Sequence, residues 1–272
     1  MTDIIKELQD YRYLSWTKTR KSSGTAGSFL KAYDDTGDRK KYYKLSDYDP
    51  VRGIVGHECV NEIIVQRLLS FFGFEHLEYR LIHALVNIDG KDLETRLCES
   101  EDYKKKDESK IPLEDYYLIN RTEGESPFDF CKRMDWEEYI YGMLVIDYLV
   151  LNRDRHGANI EVLRSQKERT VRLAPLFDHG LSLLCRCRST DDLKSFDVME
   201  DRPVQAFIGI NSTLENLRLV PRDFISNLPA LDQTEVKRIV EGTEEIIGRL
   251  HVDKIVEMIS ERWKNLGNLC NN

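Results

Sequence analysis

The chain has 272 residues, 41% of them hydrophobic and 32% charged, with a net charge of -8 and a pI near 5.4. That balance suits one large globular domain or two modest lobes with sizeable cores, and the acidic excess argues against a protein whose main task is neutralising nucleic-acid phosphates. The basic clusters Arg39-Lys40-Lys41 and Lys104-Lys105-Lys106 lie among acids and read as solvated surface.

The start, MTDIIKELQDY, has no basic leader region and no long apolar stretch, and the six cysteines form no C-x-x-C pair. A reducing cytoplasm without disulfides is therefore expected. No segment approaches the roughly 20 apolar residues needed to span a bilayer, so no membrane contact is expected. Alternating aromatic and polar residues predict a strand over Tyr11 to Thr19, followed by a small-residue loop, KSSGTAGS, at Lys21 to Ser28. Strands are predicted at Phe29 to Tyr33 and Lys41 to Leu45, joined by the turn DDTGD, and a connector with Pro50 runs from Asp47 to Gly56. Val60, Ile64, Leu68 and Phe71 mark a helix over His57 to Phe72 that stops at Gly73.

Further strands are predicted at Tyr79 to Asn87 and Leu93 to Cys98. The charged stretch Glu99 to Pro112 then suggests a lobe boundary. The expected organisation is an N-lobe over 1-103, a linker over 104-134 and a C-lobe over 135-272. In the last of these, a helix over Trp136 to Asn152 carries Ile140, Leu144, Asp147 and Leu151 on one face. Short strands at Asn159 to Leu163 and Val171 to Leu176 flank RSQKER. Amphipathic helices are expected at Asp232 to Leu250 and Val252 to Trp263, and no internal repeat is found.

The turn VLNRDRHGANIEVL, residues 150 to 163, carries the chemistry. Asp154 and Asn159 face each other across a tight loop. Asp178 follows a strand that would pair with the one leaving Asn159, so all three side chains can converge on one pocket. Two carboxylates and an amide suit magnesium, a hard cation that takes few protein oxygens and completes its shell with water and substrate phosphate. Phosphoryl transfer needs such a set, because its transition state spreads negative charge over the transferring group. In the small-residue loop, Ser23, Gly24, Thr25, Gly27 and Ser28 would let backbone N-H groups approach a phosphate; a plain surface loop is the other reading. Lys44 could reach the phosphates, braced by Glu58 or Glu62, which share a helical face.

L-x-x-N-R-D-R-H-x-x-N (Leu149 to Asn159) followed by A-P-L-F-D-H-G (Ala174 to Gly180) resembles the catalytic and metal-binding motifs of the HipA-like kinases, relatives of the phosphatidylinositol 3- and 4-kinases. The segment NEIIVQRLLSFFGF is similar to the N-E-x-x-x-x-R-L helix of the same family. The resemblance is specific over 145 to 184, fair over 22 to 74 and thin elsewhere. It implies an α+β, bilobal protein-kinase-like fold, with a small mainly β N-lobe and a larger mainly α C-lobe holding ATP and Mg2+ between them. It implies Asp154 as catalytic base, Asn159 and Asp178 as metal ligands, Lys44 as the phosphate lysine with Glu62 as its partner, and Asp147 as a brace for the catalytic loop. Glu99, at the exit of the last N-lobe strand, stands where a hinge would meet adenine through backbone groups.

An antitoxin-like regulator is the partner such a family implies, although HipA toxins carry an additional N-terminal segment not matched here, which argues against a toxin role. The hydroxyls of Ser22, Ser23, Thr25 and Ser28 are candidates for autophosphorylation, which would expel the loop by charge repulsion. A Ser/Thr protein kinase acting on a protein substrate is the leading expectation. A lipid kinase shares the loop but would want a basic activation segment, whereas Arg186, Arg188, Lys194 and Arg202 are offset by nearby acids. A hydrolase holding a transition metal through Asp154, His156, Asp178 and His179 is another class, but leaves Asn159 and Lys44 without roles. A nucleotide-binding scaffold without catalysis is a third. The roles of His156 and His179 stay open.

Overall fold

The computed structural model describes residues 3-17 and 29-271. The N-terminal part contains β1 (Ile4–Asp10), β2 (Lys31–Asp34), β3 (Lys41–Leu45), the small β4 (Tyr48–Asp49) and β5 (Gly53–Ile54), helix α1 (Glu58–Phe72), β6 (Tyr79–Ile88) and β7 (Lys91–Glu101). Five of these strands form one sheet in the order β1-β6-β7-β3-β2, in which β1 runs parallel to β6 and the remaining pairs are antiparallel. Side chains alternate across a strand, and each face has its own cover. Tyr43, Leu45, Ile82, Ala84, Val86 and Leu97 form an outer cluster with Leu14 and Leu30. Leu81 and Cys98 on the other face pack against α1 within the main core.

Helix α1 is buried along nearly its whole length and ends at Gly73, whose left-handed backbone (φ 74°) turns its N-H back onto the carbonyls of Leu69 and Ser70. A helix buried all round must satisfy every polar side chain it carries. Gln66 accordingly bonds both the N-H and the carbonyl of Tyr79. Arg67 holds Asp3 at 2.7 Å and donates to the carbonyls of Ile239 and Glu241, tying α1 to the N-terminus and to the helical tail.

Downstream lie β8 (Glu108–Pro112), α2 (Leu113–Asn120), α3 (Pro127–Arg133), α4 (Glu137–Val150), β9 (Asp154–Arg155), β10 (Glu161–Ser165) and β11 (Thr170–Leu173). They are followed by α5 (Thr190–Ser195), β12 (Gln205–Ala206), α6 (Thr213–Asn216), α7 (Arg222–Ser226), α8 (Gln233–Ile239), α9 (Glu244–Ile247) and α10 (Arg249–Asn271). A second sheet has the order β11-β10-β8, and β12 pairs in parallel with β9. The central α4 is buried on every side from Met143 onward, with α10 packed against it. A β-rich N-terminal part and a helical C-terminal part make up an α+β architecture.

Several expectations need correction. Of the strand expected at Tyr11 to Thr19, residues 11-17 are described and form an irregular segment in which Tyr11 stacks on Tyr13 and packs on Tyr43, with Thr17 alone bridging to Lys31 among the described residues. The real first strand is β1, just before it. Within the stretch 104-134, expected as linker and lobe boundary, lie β8, α2 and α3, and β8 forms the edge of the β10 sheet. The helix expected over Asp232 to Leu250 is broken, because Gly242 and Gly248 adopt φ values of 79° and 83° that a helix does not admit.

Candidate active site

Lys44 sits on β3 between Tyr43 and Leu45, which face the outer cluster, so its own side chain points the other way, toward α1. Its ammonium lies 3.0 Å from Glu62 Oε1 and 2.6 Å from Asp178 Oδ1. Burial opposes the charge on Lys44, but the carboxylates of Asp178 and Glu62 more than offset it, and its pKa is held well above the ordinary lysine value. Glu62 is 1% exposed. Burial pushes its pKa up and Asp178 adds to this, with Lys44 pulling the other way. Of the two carboxylates open to Lys44, Glu62 makes the contact, while Glu58 accepts from the N-H of Asp47 at 3.0 Å.

Glu62 also fixes the segment that carries Asp178. Its oxygens accept the N-H groups of His179 (2.8 Å) and Gly180 (3.1 Å), and the neighbouring Asn61 amide donates to the carbonyls of Gly180 and Ser182. Asp178 itself is in the left-handed region (φ 59°), which an aspartate tolerates better than most residues. Its N-H is held by the Tyr79 hydroxyl at 3.3 Å. At Gly180 a Cβ would lie 3.1 Å from Lys44 Nζ and 3.3 Å from Glu62 Oε1, so the bare backbone is what lets the segment approach the ion pair.

The loop after α4 is built on a buried ion pair. Leu151 ends the helix in the left-handed region. Asp147, 4% exposed near the end of α4, takes Arg155 through both carboxylate oxygens at 2.9 Å and the Asn152 amide at 2.9 Å. Burial disfavours the Arg155 charge, but Asp147 overrides this and raises its pKa. The same guanidinium donates to the carbonyls of Asn159 and Phe177, both at 3.1 Å, and so clamps the two motif segments together. Asn159 donates through Nδ2 to the carbonyl of Asp154 at 2.7 Å and lies 3.5 Å from its Oδ2.

His156 accepts the N-H of Ala158 on Nδ1 and sets its Nε2 3.6 Å from Asp154 Oδ1. His179 is buried, and burial followed by the nearby Arg155 charge pushes its pKa well below the ordinary value, so it is neutral. Glu99 stands opposite Tyr43 in the β3–β7 pair, on the face away from Lys44, where it meets Lys41 at 3.4 Å and Arg80 at 3.2 Å. Its side chain is thus taken up by ion pairs. Ser23, Gly24, Thr25, Gly27 and Ser28 lie outside the described residues.

The donor set fits a hard divalent cation. With Nδ2 of Asn159 engaged by the Asp154 carbonyl, its amide oxygen is left for another ligand, and an amide oxygen with carboxylates is the donor type such a cation takes. No group of three His, Cys, Asp or Glu side chains assembles with ligand geometry among the described residues, so the four-residue set of the hydrolase reading does not form. Sequence reasoning missed Arg155, Asn61 and Tyr79. The first was signalled by Asp147, since an acid inside an apolar helix needs a cation or several donors nearby.

No protein-family model matches the sequence, and no curated protein sequence matches it. Among solved structures, the chain is similar to the proinflammatory kinase CtkA of Helicobacter pylori, with a TM-score of 0.64 at 15% identity, covering 97% of this chain and 99% of that one. A second similar structure is HipA of Shewanella oneidensis MR-1, solved as a toxin-antitoxin complex with HipB and operator DNA, at 15% identity and a TM-score of 0.49, covering 94% of this chain and 68% of that one. Over almost its full length, the chain has the fold of the CtkA kinase.

Proposed function

We propose that the chain is a HipA-like phosphotransferase that moves the γ-phosphate of ATP to a hydroxyl of a protein substrate, as a Ser/Thr protein kinase does. The observation that carries this is the Lys44 ammonium shared between Glu62 (3.0 Å) and Asp178 (2.6 Å), with the Asp154–Asn159 loop clamped to the same segment by Arg155. That arrangement joins an ammonium from the N-terminal sheet to oxygen donors from the C-terminal part, which is what positioning a polyphosphate requires.

In this proposal the N-lobe spans 1-103 and the C-lobe 135-272, with nucleotide between them, and the backbone at Glu99 meets the base. Lys44 binds phosphate oxygens and Glu62 fixes its position. Asn159 and Asp178 would hold Mg2+, which supplies charge neutralisation across the phosphates when bound. Asp154 accepts the proton of the attacking hydroxyl; a new O-P bond forms, the bond to the β-phosphate oxygen breaks, and its electron pair leaves with ADP. The Ser23 to Ser28 loop would cradle phosphate and take autophosphorylation. A reducing cytoplasm suits the free thiols of Cys59, Cys98, Cys131, Cys185 and Cys187, and no helix among the described residues is long and apolar enough to cross a membrane. The motif resemblance brings an antitoxin-like regulator with it as a partner to be sought by co-purification.

The test is transfer of label from ATP to protein in a cell lysate, paired with thermal shift. Wild type should be stabilised by ATP only with magnesium, Asp178→Ala should lose that stabilisation, and Asp154→Ala should keep it while losing transfer. Stabilisation by zinc alone, without nucleotide, would favour a hydrolase. Nucleotide binding without transfer in the wild type would favour a scaffold.

A further inference from the structure

Beside Asp154 lies a cavity of about 310 Å³ lined by Arg153, Asp154, Leu181, Cys185, Arg186 and Gln205, among others. Its wall is fixed by β12, where Gln205 donates its N-H to the Arg153 carbonyl at 3.0 Å and registers against Asp154. The opposite side is the segment that follows Asp178, and the N-H of Arg153 bonds the Leu181 carbonyl. The cavity is therefore bounded by both motif segments and has Asp154 in its wall.

Its two cations are the unusual feature. The guanidinium groups of Arg153, half-buried, and Arg186, exposed, have no hydrogen-bond or ion-pair partner among the described residues, whereas the other arginines of this region are neutralised. Arg188 is held by Asp47 at 2.6 Å, and Arg202 pairs with Glu200. Burial and the like charge of Arg186 act together to lower the pKa of Arg153, so the pair is electrostatically unsatisfied as it stands. Besides Asp154, the cavity is lined by the Cys185 thiol, which burial pushes up to about 11 and keeps neutral. Two unpaired cations against one carboxylate leave the cavity net positive on a chain whose overall charge is -8.

We propose that Arg153 and Arg186 form an anion subsite of the acceptor pocket, so that the preferred hydroxyl is carried by a peptide with a carboxylate or phosphate beside it. The proposal rests on Asp154 being the catalytic base. An acidic peptide is favoured over an anionic membrane because the positive charge is confined to a pocket. The surrounding arginines are paired with acids and the whole chain is acidic, which opposes adsorption to an anionic surface.

The experiment uses serine peptides identical except at flanking positions, which carry Ala, Asp, phosphoserine or Lys, and reads both fluorescence-anisotropy binding without nucleotide and the KM and kcat of transfer. Wild type should bind the Asp and phosphoserine peptides about tenfold more tightly than the Ala peptide, a difference of about 1.4 kcal/mol, and the preference should appear in KM. Arg186→Glu, at an exposed site, should remove that preference and shift it toward the Lys peptide; Arg153→Met should remove it without reversing it. Equal binding of all peptides by the wild type, or an acidic preference that survives Arg186→Glu, overturns the proposal. Tighter, arginine-dependent binding of phosphoinositide vesicles than of acidic peptides overturns the peptide as occupant. If acidic peptides bind through Arg186 but no peptide is phosphorylated, the subsite stands and phosphotransfer falls.

Discussion

Replacing Asp147 by alanine separates bracing from catalysis. The substitution removes both bonds to Arg155 and the bond from Asn152, and leaves a guanidinium that is 3% exposed on the side chain without its counter-charge. Breaking a buried pair from one side costs about 3–5 kcal/mol. The carbonyls of Asn159 and Phe177 still accept from Arg155, which places the expected loss near the lower end, at about 3 kcal/mol. For a chain of this size each kcal/mol lowers Tm by roughly 2–4 °C, giving a fall of about 6–12 °C in differential scanning calorimetry. Asp154→Ala, at a half-exposed position whose side chain meets the His156 ring at 3.6 Å, should change stability by less than about 1 kcal/mol. Both variants should lose transfer, but only the first should lose stability. The double variant Asp147→Leu with Arg155→Met should recover part of the loss, since an apolar pair leaves no orphaned charge. A fall in Tm of under 2 °C for Asp147→Ala, or strict additivity in the double variant, would refute the bracing role.

Two further outcomes follow from local geometry. Gly180→Ala places a methyl 3.1 Å from Lys44 Nζ and from Glu58 Cβ; displacement of the ammonium should lower kcat about tenfold or more with little change in Tm, and wild-type turnover would show that the close approach does not matter. His57 is pushed down to about 3 by burial and by His251, and His251 to about 4 by burial, the rings meeting edge-to-face at 4.2 Å. With folded pKa values below the unfolded value near 6.5, the unfolded chain binds more protons as pH drops. The stability contributed by keeping both rings neutral is complete above that value and is lost as pH falls toward 4, by at most about 1.4 kcal/mol per unit for each ring. Urea unfolding between pH 4.5 and 7 should show a shallower decline in His251→Phe, and an unchanged slope would contradict the assignment.

Where local pattern and tertiary environment agree, the elements were legible. The stripe at Val60, Ile64 and Leu68, closed by Gly73, reads as the helix it forms, and α4 and strands β3, β6 and β7 lie within a few residues of their expected ranges. Failures came where partners distant in sequence decide. The residues of β1 lack a period-2 alternation and are mostly exposed, so their strand character comes from lying parallel along β6. The alternation at Tyr11 and Tyr13 mimics a strand because both rings cluster on the sheet's outer face, a tertiary preference with no ladder behind it.

The candidate site drew attention to the extent that its residues are chemically unusual for their positions. Asp154 and Asn159 stand out because polar oxygens crowd a turn between apolar runs, Asp178 because it follows the strand that would pair with the one leaving Asn159, and Lys44 because its strand could bring it to the phosphates. Arg155 and Asn61 did not stand out, since an arginine in a charged turn and an amide on a helix are ordinary until burial is known. Yet each is required by an accounting of charge and hydrogen bonds. Asp147 inside α4 demands a cation, and the backbone of a segment bent through Asp178 in the left-handed region demands donors and acceptors from outside itself. Arg155 meets the first demand, and Asn61 with Glu62 the second, binding N-H and C=O groups on either side of Gly180. Adjacent residues on one buried helix therefore set the ammonium, through Glu62, and the segment bearing Asp178, through both. A shift of α1 must move the two together, alongside the direct contacts that Lys44 on β3 and Tyr79 on β6 make with Asp178.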